Sequence, residues 1–245
     1  MFRIDCRTIV TTLSLFALQG CILVNGPLEV VEETNAPAVK YLPVGIPLLL
    51  GGHGTSVPIT DELSLTAKHV AKIDFSDVVA FHPDCDVALI KQDNTNVSFP
   101  PLAKLNEKDA LITVGKGLGG EILKGVGIYY LDVRFVDSDM FANCDASITD
   151  APVQSGMSGG GVFKTNGELV GIISGISGSG FRLLDGRELG NERTSVFVSM
   201  QNIESWLATS IEAHYDKRID ELVAQEPAFT EQFFSQFIES SPTSE

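Results

Sequence analysis

From Val44 to Ser199 the apolar residues of this chain come mostly in short runs, each broken by glycine, proline, asparagine or aspartate. Runs of that length are too short for the stripe of a packed helix and suit strands joined by turns. Candidate strands are 46–50, 55–59, 63–66, 77–82, 86–91, 110–114, 121–134, 161–164, 168–174 and 194–199. "KTNGEL" (164–169) sets Asn-Gly between two of them, the strongest short-range hairpin signal. Near Ser199 the period changes. Ile203, Trp206, Leu207, Ile211, Tyr215, Ile219 and Leu222 recur at three- and four-residue steps, which predicts an amphipathic helix. Pro227 ends it, and Phe229, Phe233, Phe234, Phe237 and Ile238 predict a second, shorter one. The expected fold class is therefore all-β, two packed antiparallel barrels or sheets, with C-terminal helices packed on the body.

With 245 residues, 44% of them hydrophobic and 20% charged, the chain has material for one large core or two small ones. A net charge of −15 excludes a nucleic-acid surface, which needs clustered lysine and arginine. No repeat of a solenoid or propeller period is visible.

The N-terminus reads as a targeting segment. Arg3 and Arg7 flank a polar start, and residues 8–20 ("TIVTTLSLFALQG") form an apolar run with the length of a secretory signal, short for a spanning helix. The run ends in "LQGC". This resembles the bacterial lipobox, which implies removal of residues 1–20, lipidation of Cys21 and attachment to a membrane by its acyl chains. Ile22, rather than aspartate, after that cysteine implies the outer membrane of a bacterial envelope, on its periplasmic side. Plain secretion and an uncleaved anchor fit the same hydrophobic length and stay open. Residues 21–42, mixing acid, proline and asparagine without periodicity, read as a tether. Export permits disulfides, and Cys85 and Cys144 are the cysteines that remain; the sequence leaves a bridge and two free thiols equally open.

The chemistry concentrates in "VQSGMSGGGVF" (153–163). A serine hydroxyl attacks only when a base takes its proton and donors receive the charge that develops on the substrate. Glycines around Ser158 permit a tight turn and let bare backbone N–H groups, those of Gly156 and Ser158, face a substrate as an oxyanion pocket. Glycine-rich turns with serine are also common in ordinary loops. Two further places weigh against that reading: "LSLTAKHV" (63–70) puts His69 just after a strand, and "HPDCDVALIK" (82–91) puts Asp86 at the mouth of one. Thr-Ala-x-His, then aspartate before a buried strand, then Gly-x-Ser-Gly-Gly resembles the chymotrypsin-like serine proteases, in the style of the exported bacterial Deg-type members, from about residue 44 to 209.

The resemblance implies a protease body at 43–209 and a helical tail at 210–245. It makes His69 the general base, Asp86 its orienter and Ser158 the nucleophile of an acyl-enzyme mechanism on envelope or extracellular polypeptides, with no cofactor and no metal. Pro152 and Val153, with Ser174 and Ile176 of "GELVGIISGI" (167–176), are the expected substrate-binding residues. None is charged, so a small or apolar side chain is expected before the scissile bond, with Asp150 near enough to matter. Lys68 is expected to point to solvent, His53 to be a loop histidine, His82 to pack near the site, and "GKGLGG" (115–120) to be a turn between barrels. Met157 precedes Ser158, where relatives activated by a freed N-terminal amine keep an acid. Oligomeric state is not legible. The competing readings are a lipid-anchored binding protein that kept the fold and lost turnover, and an esterase using the same groups, although strand–elbow–helix context is lacking.

Overall fold

The structure is a computed structural model in which residues 23–46, 50–73, 76–135, 141, 143–177, 183–186 and 188–225 are described. Its strands are β1 (Glu29–Val31), β2 (Lys40–Ile46), β3 (Leu50–Pro58), β4 (Leu63–Thr66), β5 (Val78–Phe81), β6 (Ala88–Lys91), β7 (Ala110–Lys116), β8 (Ile122–Val133), β9 (Ala146–Thr149), β10 (Gly161–Lys164), β11 (Leu169–Ile176) and β12 (Ser195–Ser199). Helices are α1 (Lys68–Ala71), α2 (Met200–Tyr215) and α3 (Ile219–Gln225).

The fold is all-β with C-terminal helices, as the apolar runs predict. β2 to β6 form a five-stranded antiparallel sheet in the order β2-β3-β4-β6-β5. β7 to β12 form a second sheet, β8-β7-β10-β11-β12-β9, closed into a six-stranded barrel by β8–β9 pairing, with β1 added on β8. Only this second unit closes among the described residues; the first remains a sheet. β8 can serve both neighbours because it is 12 residues long and its register shifts between Tyr129 and Leu131. Leu63, Leu65 and Leu89 of the first sheet, with Val87 just before β6, share one core with Val114, Phe163, Ile172 and Val198 of the second. Ile203, Leu207 and Ile211 of α2 cover that core, as their spacing requires.

Several expectations are corrected. Residues 23–42 do not run free as a tether: Glu29–Val31 pair with Lys124–Ile122 on β8, and β2 already begins at Lys40. An edge strand needs only backbone partners, so a weak side-chain pattern there hides it. Proline at position 43 of β2 is tolerated for the same reason, since β2 is an edge. The run 46–50 was expected as one strand; Ile46 instead ends β2 and Leu50 begins β3, the two in register with each other, and residues 47–49 lie outside the described residues. β9, "ASIT", carries one large apolar residue, Ile148, among small and polar ones yet is wholly buried, too little pattern to mark it in the sequence. The boundary expected at 209/210 falls inside α2. "GKGLGG" is indeed a turn, but it joins β7 to β8 within one barrel, with Gly117 N–H bonded to the Glu121 carbonyl at 2.8 Å. Asn166-Gly167 joins β10 to β11, Gly167 having the positive φ of 90° that such hairpins use. Cys85 and Cys144 form a disulfide across 59 positions. The apolar run 8–20, Cys21 and the expected helix at 229–238 lie outside the described residues.

Candidate active site

β4 delivers the chain at Thr66–Ala67 straight into α1, a single turn. A helix start leaves backbone N–H groups without partners. Ala67 cannot cap them with a side chain, and the N–H of His69 is taken instead by Asp86, whose Oδ1 accepts it at 2.9 Å. The other carboxylate oxygen, Oδ2, accepts the His69 ring Nδ1–H at 2.8 Å. One buried carboxylate thus fixes both the helix and the imidazole; Asp86 is 2% exposed while the His69 side chain is 37% exposed. Ser174, on β11, donates its hydroxyl to the same Oδ2. Three donors replace the water that burial removes from the charge. With Nδ1 committed as a donor, Nε2 carries the lone pair.

Ser158 lies on the turn entering β10, and that turn is held by the other sheet. Its carbonyl accepts the Thr55 N–H at 2.8 Å, and the Thr55 hydroxyl donates to the Gly156 carbonyl at 2.9 Å. Thr66, beside α1, donates its hydroxyl to the Thr55 carbonyl at 2.7 Å. A short hydrogen-bonded chain therefore links the serine turn to the histidine helix. Glycine is required at two places in the turn. Gly156 has φ +94° and a Cβ there would stand 1.9 Å from His53 Nε2; Gly159 has φ +84° and a Cβ would meet the Thr55 carbonyl at 2.1 Å. The N–H of Gly159 bonds to Ile173 and that of Gly160 to Met157, both at 2.8 Å, whereas those of Gly156 and Ser158 have no acceptor among the described residues. Two unsatisfied donors beside one hydroxyl are what an anionic oxygen would occupy.

The Ser158 hydroxyl donates to the Ser174 carbonyl at 3.2 Å and makes no hydrogen bond to the His69 ring. Of the three expected residues, His69 and Asp86 are joined by a hydrogen bond and Ser158 is joined to neither. Ser174, expected at the substrate, points its side chain at Asp86 instead. Pro152 and Val153 are buried, with the Pro152 carbonyl accepting from the Thr113 hydroxyl at 2.6 Å and the Val153 N–H donating to Asn25 Oδ1 at 2.8 Å. Ile176 ends β11 half-buried. Asp150 faces β8, accepting the Ile128 N–H at 2.8 Å and the Tyr130 hydroxyl at 3.1 Å.

Residues outside the expected set also shape the site. His53 belongs to strand β3 rather than a loop; it stacks on Tyr41 with ring centres 5.0 Å apart, hydrogen-bonds the Lys116 carbonyl at 3.0 Å and backs Gly156. Its glycine neighbours in "GGHGTS" were the available signal, since they mark a backbone that others approach closely. Lys68 does not extend into solvent: its ammonium donates to the carbonyls of His82, at 2.6 Å, and Pro83, at 3.0 Å.

Residues 61–172 match the family model of a trypsin-like peptidase domain, a stretch that contains His69, Asp86 and Ser158. No curated protein matches the chain by sequence. Among solved structures, the HtrA-type protease AlgW with a tripeptide is similar at 19% identity and a TM-score of 0.59, over 75% of this chain and 63% of that one. The active form of the Rv3671c protease from M. tuberculosis is similar at 18% identity and 0.57, over 71% and 81%. The MamO protease domain from Magnetospirillum magneticum is similar at 20% and 0.55, over 72% and 98%. At such identities the likeness speaks to the fold, which is chymotrypsin-like, and the chain spans just under two thirds of the AlgW chain.

Proposed function

We propose that this chain is a serine endopeptidase that cleaves exposed polypeptide segments through an acyl-enzyme, with His69, Asp86 and Ser158 as its triad. The observation that carries the reading is the Asp86 carboxylate, which grips the His69 ring at 2.8 Å and its backbone at 2.9 Å, beside a serine turn with two N–H groups unpaired among the described residues. When a substrate carbonyl enters, the Ser158 hydroxyl leaves the Ser174 carbonyl and passes its proton to His69 Nε2 while its oxygen attacks the carbonyl carbon. The N–H groups of Gly156 and Ser158 receive the oxyanion, and Asp86 stabilises the imidazolium. His69 then protonates the leaving amine, and water repeats the sequence in reverse to free the acid product. A fluorophosphonate probe is expected to label the wild-type protein and spare Ser158→Ala; equal labelling of both would remove Ser158 as nucleophile.

The alternative, an inactive protease-like lipoprotein that binds rather than cuts, draws on the Ser158 hydroxyl facing Ser174 instead of His69. It predicts no labelling of either protein. The trypsin-like pattern of residues 61–172 supports turnover over this alternative.

We place the protein in a bacterial cell envelope, held by a lipid on Cys21. The support is the "LQGC" pattern after a short apolar run. Among the described residues no helix is long and apolar enough to cross a membrane. Radiolabelled palmitate is expected to enter the wild-type chain in cells and not Cys21→Ser; incorporation in both would move the anchor elsewhere.

A further inference from the structure

We infer that His82 is an acid-sensitive clasp on the loop that presents Asp86: a positioning residue whose neutral ring holds the loop in register and whose protonation releases it. The inference deepens the proposed function, because it concerns how Asp86 reaches His69.

His82 opens the loop between β5 and β6, and only 9% of it is exposed. Its Nδ1 accepts two backbone hydrogen bonds, from Asp84 at 3.1 Å and Cys85 at 2.9 Å, the two residues directly before Asp86. A ring nitrogen accepts only when it carries no proton. The clasp therefore exists only in the neutral ring with its proton on Nε2. From outside, Lys68 binds the carbonyls of His82 and Pro83, tying the same loop to α1 and hence to His69. Adding a proton at Nδ1 would set three N–H groups against one another in a buried place and remove two hydrogen bonds that fix Asp86.

The groups around the ring favour its neutral form. Burial holds its pKa below the ordinary histidine value; the Asp84 carboxylate opposes that, and the Lys68 ammonium adds to it. Asp84 is also engaged by the Asn143 side-chain amide at 3.1 Å. From α2 the neutral Trp206 meets the ring edge-on, centres 5.1 Å apart. Since the folded pKa lies below the unfolded one, the clasp is complete above about pH 6.5 and is lost as pH falls through the lowered value.

Trp206 is the only tryptophan in the sequence, and it touches His82, so its emission reports the ring without any turnover. An imidazolium quenches an adjacent indole. The test uses the full chain and two variants. In His82→Asn the amide oxygen takes the place of Nδ1 and accepts the same N–H groups without titrating; His82→Phe keeps a ring but no acceptor. Wild-type emission is expected to fall through a single transition below about pH 6.5, absent from His82→Asn. With each profile of kcat/KM normalised at pH 8, the wild type is expected to lose about tenfold more than His82→Asn one unit below that transition. His82→Phe is expected to be impaired at every pH. Superimposable acid limbs for wild type and His82→Asn, or a His82→Phe protein as active as wild type at pH 8, would overturn the clasp. An emission transition that survives in His82→Asn would do the same. If the protein proves to turn over no peptide, the emission titration and hydrogen exchange at the Asp84 and Cys85 amides still decide the matter, with protection relative to the intrinsic exchange rate expected to fall on acidification in wild type but not in His82→Asn.

Discussion

Asp86→Asn is expected to lower kcat about 10⁴-fold while leaving the protein folded. The size follows from the donors that meet at this carboxylate. Its Oδ1 receives the His69 backbone N–H and its Oδ2 receives both the ring Nδ1–H and the Ser174 hydroxyl. An amide offers one acceptor oxygen where the carboxylate offers two. The backbone N–H of His69 cannot change into an acceptor, so it claims the oxygen. The amide NH₂ then faces Nδ1, which must give up its proton to accept from it. The ring proton moves to Nε2, the position that has to receive the Ser158 proton, and the base becomes a donor. Ser174 can adapt by rotating its hydroxyl, so the loss is one of tautomer rather than packing. Steady-state kinetics on a peptide substrate, beside a thermal melt of both proteins, checks this. A variant within tenfold of wild type would mean that Asp86 holds the helix and not the chemistry.

What could be read from the sequence was whatever lies close together in it. Each apolar run is its own evidence, so β4, β6, β7, β8, β10, β11 and β12 fall near their expected places. β9 was hidden because Ile148 is its one large apolar residue and its polar groups are buried by pairing with other strands: the Thr149 hydroxyl donates to the Ile128 carbonyl at 2.7 Å, a partner 21 positions away. His69, Asp86 and Ser158 could be singled out as candidates because each sits in its own local pattern. Their cross-links could not be. Ser174 reaches Asp86 over 88 positions and Thr55 reaches Gly156 over 101, and neither short stretch of sequence contains a trace of its partner. Lys68 and His82 illustrate the same limit. A lysine one position before a histidine reads as a solvated charge, and only the folded loop supplies two carbonyls for it to bind. For each of the two β units the sequence left a barrel and a sheet both open. Strand count alone does not distinguish the two outcomes, because closure depends on one long strand that pairs on both sides, as β8 does.

Replacing Cys85 and Cys144 together by serine is expected to cost about 4 kcal/mol of stability. The bond closes a segment of 59 positions, and loop entropy of that length, taken from the unfolded chain, sets the figure. It is a large fraction of the roughly 5–15 kcal/mol that holds an ordinary domain together. The position of the bond adds a second consequence. Cys85 directly precedes Asp86 in the loop between β5 and β6, and Cys144 stands two residues before β9 of the barrel. The link therefore holds the loop of the proposed orienter to the opposite sheet. Both cysteines are buried, at 2% and 4% exposure, so a reductant reaches them only when the structure opens. Urea unfolding should show a lower midpoint for the double serine variant. The native protein in dithiothreitol should approach the same midpoint slowly, at the rate of that opening. A midpoint shift equivalent to less than about 1 kcal/mol would place the bond's effect below the range expected for a loop of this length. Activity gives the sharper reading, for a chain that stays folded without the bridge but loses kcat would show that the bond's work is to hold Asp86 against His69.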